Sequence, residues 1–153
     1  MIFLSTFHNR IDKKGRVSVP AQFRAVLASK VLANDFQGVV AYQSPINNCI
    51  EACGMSRIIK LNERMESFDP YSEERDAFVN TLFGESAQLS FDSDGRILLT
   101  EELMEAAGLK EEATFVGKGE VFEIWEPKAF TAYAKRARSL VKEKRFMMKG
   151  PVS

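Results

Sequence analysis

The chain has 153 residues, of which 45% are hydrophobic and 27% charged, enough to bury one respectable core; this argues against a disordered chain and for one compact unit or two small halves. Its apolar runs, such as Ile97-Leu98-Leu99, fall far short of the ~18 residues that a bilayer span needs. The start, Met1-Ile2-Phe3-Leu4-Ser5, has neither a basic region nor a cleavage signal, so a soluble cytoplasmic protein with no membrane partner is expected. The net charge of zero hides three blocks: residues 1–30 hold 6 basic and 1 acidic side chains, residues 31–127 hold 7 and 19, and residues 128–153 hold 8 and 1. Both ends therefore attract a polyanion that the middle repels, unless all of it is ordinary solvated surface.

In chain order, a first strand carries His8, the only histidine, and runs to Ile11. It meets Asp12-Lys13-Lys14-Gly15, an Asp-x-x-Gly turn signal, followed by Arg16 and an extended run with apolar Val17 and Val19. Pro20 then opens a short helix over Ala21 to Leu27. Gly38 to Tyr42 and Asn48 to Ala52 read as a strand pair; Cys49 and Cys53 there lack the second pair that a zinc site or disulfide framework needs, and read as reduced, partly buried thiols. Helical sequence follows from Met55 to about Ser67 and, after Asp69-Pro70, from Ser72 to Phe83. Phe78, Val79, Leu82 and Phe83 recur there at helical spacing and suit internal packing or a subunit interface.

From Phe91 the pattern restarts. Phe91 to Leu103 aligns without a gap on Ile11 to Phe23, with apolar residues matching at 11/91, 17/97, 19/99 and 23/103. Thr100 caps a helix that ends before Gly108, Ala113 to Gly117 and Val121 to Trp125 pair as strands, and Pro127 opens a last helix to about Met148. Each half is thus β-β-α-β-β-α, and two weak cores of this size are expected to pair about a pseudo-twofold axis. The copies share what a turn needs: Asp12 and Asp92 to accept backbone hydrogen bonds, Gly15 and Gly95 to take positive φ, Arg16 and Arg96 to pair with the aspartates. They differ at Lys13-Lys14, replaced by Ser93-Asp94. A turn has no structural use for two lysines, whereas a phosphate-binding edge has. Arg10, Lys13, Lys14, Arg16 and Arg24 are the candidate DNA-binding residues, with Asp12, Gly15, Asp92, Gly95 and Arg96 supporting the turns.

The stretch Phe7-His8-Asn9-Arg10-Ile11-Asp12-Lys13-Lys14-Gly15-Arg16-Val17-Ser18-Val19-Pro20-Ala21-Gln22-Phe23-Arg24, with Phe78 to Phe83, Ala87 to Leu99 and Glu123-Ile124-Trp125, resembles the MraZ family of bacterial regulators over about residues 1–145. The resemblance implies an α+β fold in which two pseudo-symmetric halves form a double-ψ or swapped-hairpin β-barrel of the AbrB/SpoVT type with flanking helices. Residues 1–68 would be the first half, 69–145 a connecting helix and the second half, and 146–153 a basic, frayed tail. It also implies a cytoplasmic, nucleoid-associated transcription factor that assembles into rings. Such a factor would bind double-stranded DNA at short tandem repeats upstream of a division and cell-wall gene cluster that includes its own gene. Arg16 is its leading DNA-binding residue by motif match, with Asp12 in support. Arg96 and Asp92 match the second element, where Ser93-Asp94 disfavours a direct DNA contact.

Other classes compete less well. No nucleophile elbow, Gly-rich phosphate loop, Walker pattern or metal-ligand cluster occurs, so neither an enzyme nor a cofactor is expected, and His8 reads as structural or mildly pH-sensitive. An antitoxin-like protein-interaction module remains the alternative, its basic turn serving a protein partner. An RNA-stacking platform would expose aromatic pairs, but most of the 12 phenylalanines occupy apolar-periodic positions. The run Lys135 to Arg145 suits either a second nucleic-acid contact or a solvated helix face favoured by its own dipole.

Overall fold

The structure is a computed structural model that describes residues 1–31 and 36–145; the tail expected at 146–153, and the last turn of the helix expected to reach Met148, lie outside the described residues. The strands are β1 Thr6–Arg10, β2 Arg16–Ser18, β3 Gly38–Gln43, β4 Ile50–Cys53, β5 Ala87–Ser90, β6 Arg96–Leu98, β7 Glu112–Gly117 and β8 Phe122–Trp125. The helices are α1 Ala21–Ala28, α2 Met55–Met65, α3 Glu73–Val79, α4 Glu101–Ala107 and α5 Pro127–Glu143. Between α3 and β5 the chain makes a π-helical turn, Asn80–Gly84, where the sequence pattern predicts one helix through Phe83.

Local chemistry sets the ends of these elements. The Thr100 hydroxyl accepts the Leu103 amide at the start of α4, Glu101 and Glu102 lie in its positive first turn, and Gly108 closes it at φ 64°. Glu126 accepts the amides of Lys128 and Ala129 ahead of Pro127, which donates none, and so launches α5. These two caps each contribute on the order of 1 kcal/mol, enough to fix where α4 and α5 leave the sheet.

The expected barrel is not there. Six strands form one sheet in the order β1-β7-β8-β4-β3-β5, with β1 and β5 at opposite edges, and β2 and β6 form a separate two-stranded ribbon. A closed barrel needs an unbroken, tilted ladder around its whole circumference. Here β2 and β6 have only three residues each, and those residues pair with one another, Arg16 with Leu98, Val17 with Ile97 and Ser18 with Arg96. The link from β1 to β2 is reduced to the isolated bridge between Ile11 and Val17, so neither sheet closes.

The strands of the two sequence copies nevertheless interleave. β1 lies beside β7, β5 beside β3, and β4 beside β8, so a strand of each copy completes the other's ladder. The core lies where α1 and α4 cover this sheet. Phe23 from α1 stands with its ring 5.4 Å from Phe3 and 4.9 Å from Phe122, and Phe115 lies 6.0 Å from Phe122. Around them Val17, Val19, Ile97, Leu99 and Leu103 are buried, which ties the inward residues of the small ribbon to the large sheet. The ribbon is therefore a projection anchored in the core.

The outer helices are less committed. α5 rests on the sheet only through its first turns, where Tyr133 stacks on Trp125 at 4.7 Å and Phe130 packs beside it. Buried Glu123 is satisfied there by the Trp125 indole at 2.8 Å, and Lys118 pairs with it at 3.5 Å while donating to the Tyr133 hydroxyl. Beyond that anchor neither α5 nor α3 has a buried residue. Of the apolar group at 78–83, Leu82 is buried and Phe83 packs with it, while Phe78 is 45% exposed.

Candidate nucleic-acid interface

Both Asp-x-x-Gly-Arg elements fold into the same turn. Asp12 Oδ1 accepts the amides of Lys14 and Arg16 at 2.9 Å each, and its Oδ2 accepts Arg16 Nε at 2.7 Å. Asp92 repeats this with Asp94 N, Arg96 N and Arg96 Nε, each at 2.9 Å. Gly15 and Gly95 take φ of 90° and 76°, a region that a side chain rarely allows, and donate back to the Asp12 and Asp92 carbonyls. Three donors on one carboxylate, with a positive φ at the glycine, explain why the two copies share Asp, Gly and Arg.

The same donors tune the acids. The Arg16 amide, then the Arg16 side chain and the Lys14 amide, hold the Asp12 carboxyl below the ordinary aspartate value of 3.8, and Arg96 and Asp94 do the same for Asp92. A depressed folded-state pKa gives stability that is complete above the ordinary value and is lost as pH falls through the folded value. Both turns are therefore expected to keep this contribution above the ordinary aspartate value of 3.8 and to lose it only as pH falls below that. Carboxyl-carbon NMR titration of Asp12 and Asp92 checks this; a midpoint at or above 3.8 for either would contradict the geometry.

Where the turns differ is in what surrounds each arginine. Lys13 and Lys14 are exposed, and among the described residues no carboxylate lies within ion-pair distance of either. Arg16 meets a single carboxylate, Asp12, through Nε, which leaves its two terminal amino groups without a partner among the described residues. Arg96 faces three: Asp92 at 2.9 Å, Asp94 at 3.4 Å and Asp12 at 4.0 Å. The first turn is a cationic edge in which, among the described residues, only Arg16 is paired, and the arginine of the second is surrounded by carboxylates, two of its own turn and one of the first.

The remaining candidates sit elsewhere. Arg24 reaches the second turn rather than the first: its Nε donates to the Val19 carbonyl at 3.0 Å, and a Cβ on Gly95 would stand 2.8 Å from its guanidinium. Arg10, exposed at the end of β1, is paired across the ladder with Glu112. His8 Nδ1 lies 2.9 Å from Thr114 Oγ1, a contact within the sheet.

Sequence reasoning missed what the second copy gives the first turn. A Cβ on Gly15 would meet the Leu99 carbonyl oxygen at 3.3 Å, Met104 Sδ at 3.6 Å and Leu98 Cδ1 at 3.7 Å. The Leu99 amide donates to the Gly15 carbonyl at 2.9 Å, and the Val19 amide to the Gly95 carbonyl at 3.1 Å, so each turn is seated on the other copy. No local signal announces contacts across 80 residues of chain.

Nothing else in the described residues competes as a reactive centre. Cys49 and Cys53 are free and fully buried, and burial pushes the Cys53 thiol up to about 12, away from the thiolate needed for nucleophilic chemistry. Among the described residues no cluster of His, Cys, Asp and Glu is placed to hold a metal ion, and no helix is long and apolar enough to cross a membrane.

Comparison with known proteins agrees with the motif. The family model described as "MraZ protein, putative antitoxin-like" matches residues 82–148. The chain is 54% identical over 148 residues to the transcriptional regulator MraZ of Rickettsia akari (strain Hartford), covering 97% of each chain. It is 55% identical over 149 residues to that of Rickettsia bellii (strain OSU 85-389), and 53% identical over 148 residues to that of Rickettsia canadensis (strain McKiel), again with 97% of each chain covered. Identity of this extent over nearly the whole length places the chain among regulators rather than enzymes: it belongs to the MraZ family of transcriptional regulators.

Proposed function

We propose that this protein is a sequence-specific, double-stranded DNA-binding regulator that acts as a ring-like homo-oligomer on short tandem repeats. Its targets on this reading lie upstream of the division and cell-wall gene cluster containing its own gene, and it works in the cytoplasm on the nucleoid. Lys13, Lys14 and Arg16 carry the binding, Asp12 and Gly15 hold their turn, and residues 1–68 and 69–145 act as the two functional halves. The observation that supports this best is the contrast between two turns of one geometry, in which the arginine of one meets a single carboxylate and that of the other is held by three. Folding needs the turn twice; only binding a polyanion needs the lysines once. An arginine fork takes two phosphate oxygens or the O6/N7 edge of guanine, while the lysines add positioning charge. Arg10, at the end of β1, and Arg24, at the second turn, would add further phosphate contacts outside that edge.

One such edge binds weakly, and a ring presenting several to repeated sites gains through effective concentration. The surfaces that such a ring requires are the uncommitted helices. Tyr71 is 93% exposed and Phe78 45%, and they lie among Glu66, Asp69, Glu73, Glu74 and Asp76. On α5, Leu140 and Val141 are 56% and 54% exposed among Lys135, Arg136, Arg138 and Lys142. Opposite charge around two apolar patches on different segments of the chain suits a head-to-tail contact between copies, the kind that closes into a ring.

The test is fluorescence anisotropy with a fragment from upstream of the protein's own gene and a shuffled control, across a salt series. The expected result is preference for the native fragment and a log K against log salt slope of about −3 for each subunit engaged, from three cations at about 0.9 each. Equal, weak and salt-insensitive binding of both fragments would instead favour the antitoxin-like interaction module.

A further inference from the structure

The ribbon of β2 and β6 has two faces. Val17 and Ile97 point into the core and are 1% exposed each, so Arg16, Ser18, Arg96 and Leu98 share the outer face. Three of these four are polar or charged. Leu98, the fourth, is 55% exposed, directly opposite Arg16 in the ladder and close enough to the first turn that its Cδ1 would stand 3.7 Å from a Cβ on Gly15. The second copy thus places one isobutyl group across the ladder from Arg16, at the cationic first turn.

The sequence repeat supplies its own control. Leu98 aligns with Ser18, which occupies the matching place beside Arg96. Ser18 therefore shows that the ribbon folds with a small polar residue there, and a leucine at 98 is not demanded by the ladder. The leucine stands at the turn with free cations and the serine at the neutralised one, so the apolar group tracks the anion-binding edge.

We propose that Leu98 reads the 5-methyl group of thymine in the major groove, beside the base or phosphate taken by Arg16. This rests on the DNA reading above and adds to it a residue that carries sequence discrimination. Two strands about 4.8 Å apart with their side chains match a groove about 12 Å wide and not one about 6 Å wide. The thymine methyl is the one apolar group that a base pair presents on that floor, and an aliphatic side chain is its natural contact. Lys13 and Lys14 would then straddle the flanking phosphates, fixing depth while Leu98 and Arg16 meet base edges.

The experiment compares the fragment from upstream of the protein's own gene with the same fragment synthesised with deoxyuridine for thymidine, which deletes the methyl and nothing else of the pairing. Wild type, Leu98→Ala and Leu98→Ser are measured on both, and the mass of each protein's assembly is measured by light scattering. Wild type is expected to lose about four-fold per engaged subunit on the uridine fragment, the worth of one buried methyl. Both variants are expected to bind the two fragments equally, at the wild-type level for the uridine fragment, with assembly mass unchanged. Wild type that is indifferent to the methyl, variants that keep the discrimination, or variants whose assembly falls apart would each overturn the assignment while leaving DNA binding in place. Wild type that binds neither fragment would overturn the DNA reading itself.

Discussion

Arg16→Ala is expected to remove specific DNA binding, and Arg96→Ala to leave it within about three-fold of wild type. The two variants form a matched pair, because each deletes the same Nε contact to an aspartate in the same turn. Solvent-screened ion pairs of this kind contribute little to folding, and Arg96→Ala, which also releases Asp94 and Asp12, is expected to cost stability at least as much as Arg16→Ala. What differs, on the proposed reading, is the outward function of the guanidinium. Loss of a bidentate base or phosphate contact costs about 1–3 kcal/mol, or roughly 5-fold to 150-fold for each subunit engaged, and the factors multiply where several subunits bind at once. Anisotropy with the upstream fragment reads the difference, with melting temperature as the control for folding. Arg16→Lys adds a finer division: it keeps the charge and the salt dependence but loses the fork, so specificity should fall more than non-specific affinity. Equal losses from Arg16→Ala and Arg96→Ala would mean that the three carboxylates around Arg96 do not silence it.

The sequence disclosed this site unevenly, for physical reasons. Turn and cap chemistry is local, so Asp12, Gly15, Asp92, Gly95, Thr100, Gly108 and Pro127 could be read from their neighbours and occupy the places expected of them. Strand pairing is not local. That β2 would pair with β6 instead of extending a hairpin from β1, and that the sheets would stay open, depends on hydrogen bonds between residues 80 apart. The barrel was an expectation carried by resemblance, and three-residue strands could not supply its closing ladder. Charge alone groups Arg24 with the first turn, yet α1 delivers it to the second, since Val19, whose carbonyl accepts from Arg24, donates its own amide to the Gly95 carbonyl. Phe78 had helical periodicity with Leu82, but the π-helical turn shifts the register between them, and only Leu82 reaches the core. Periodicity identifies an apolar face without saying what covers it.

That uncovered face leads to the second large effect. The double variant Leu140→Asp/Val141→Asp is expected to convert the assembly to monomers, read as mass by light scattering at each salt concentration used for binding. α5 is held to its own subunit by Trp125, Phe130 and Tyr133, well before residue 140, so these substitutions leave its anchor intact and the circular-dichroism spectrum unchanged. At a closed interface each aspartate would lose an apolar contact worth about 1.5–3 kcal/mol and bury an unpaired charge at further cost. It would also set a negative charge against the acidic stretch from Glu66 to Asp76 of the next copy. Two such sites per contact outweigh any plausible heterologous interface of modest area. Binding should then divide: affinity for one repeat stays near that of a single wild-type subunit, because Lys13, Lys14 and Arg16 are untouched, while affinity for tandem repeats drops to the same level, because the effective-concentration gain is gone. A reciprocal variant, Glu73→Lys/Glu74→Lys, tests the other side of the contact and should weaken assembly by repelling the cations of α5. Monomers from both variants would assign the two faces to one another. An intact assembly in both would show that the subunits meet elsewhere, and the exposed residues of α3 and α5 would then be solvated surface.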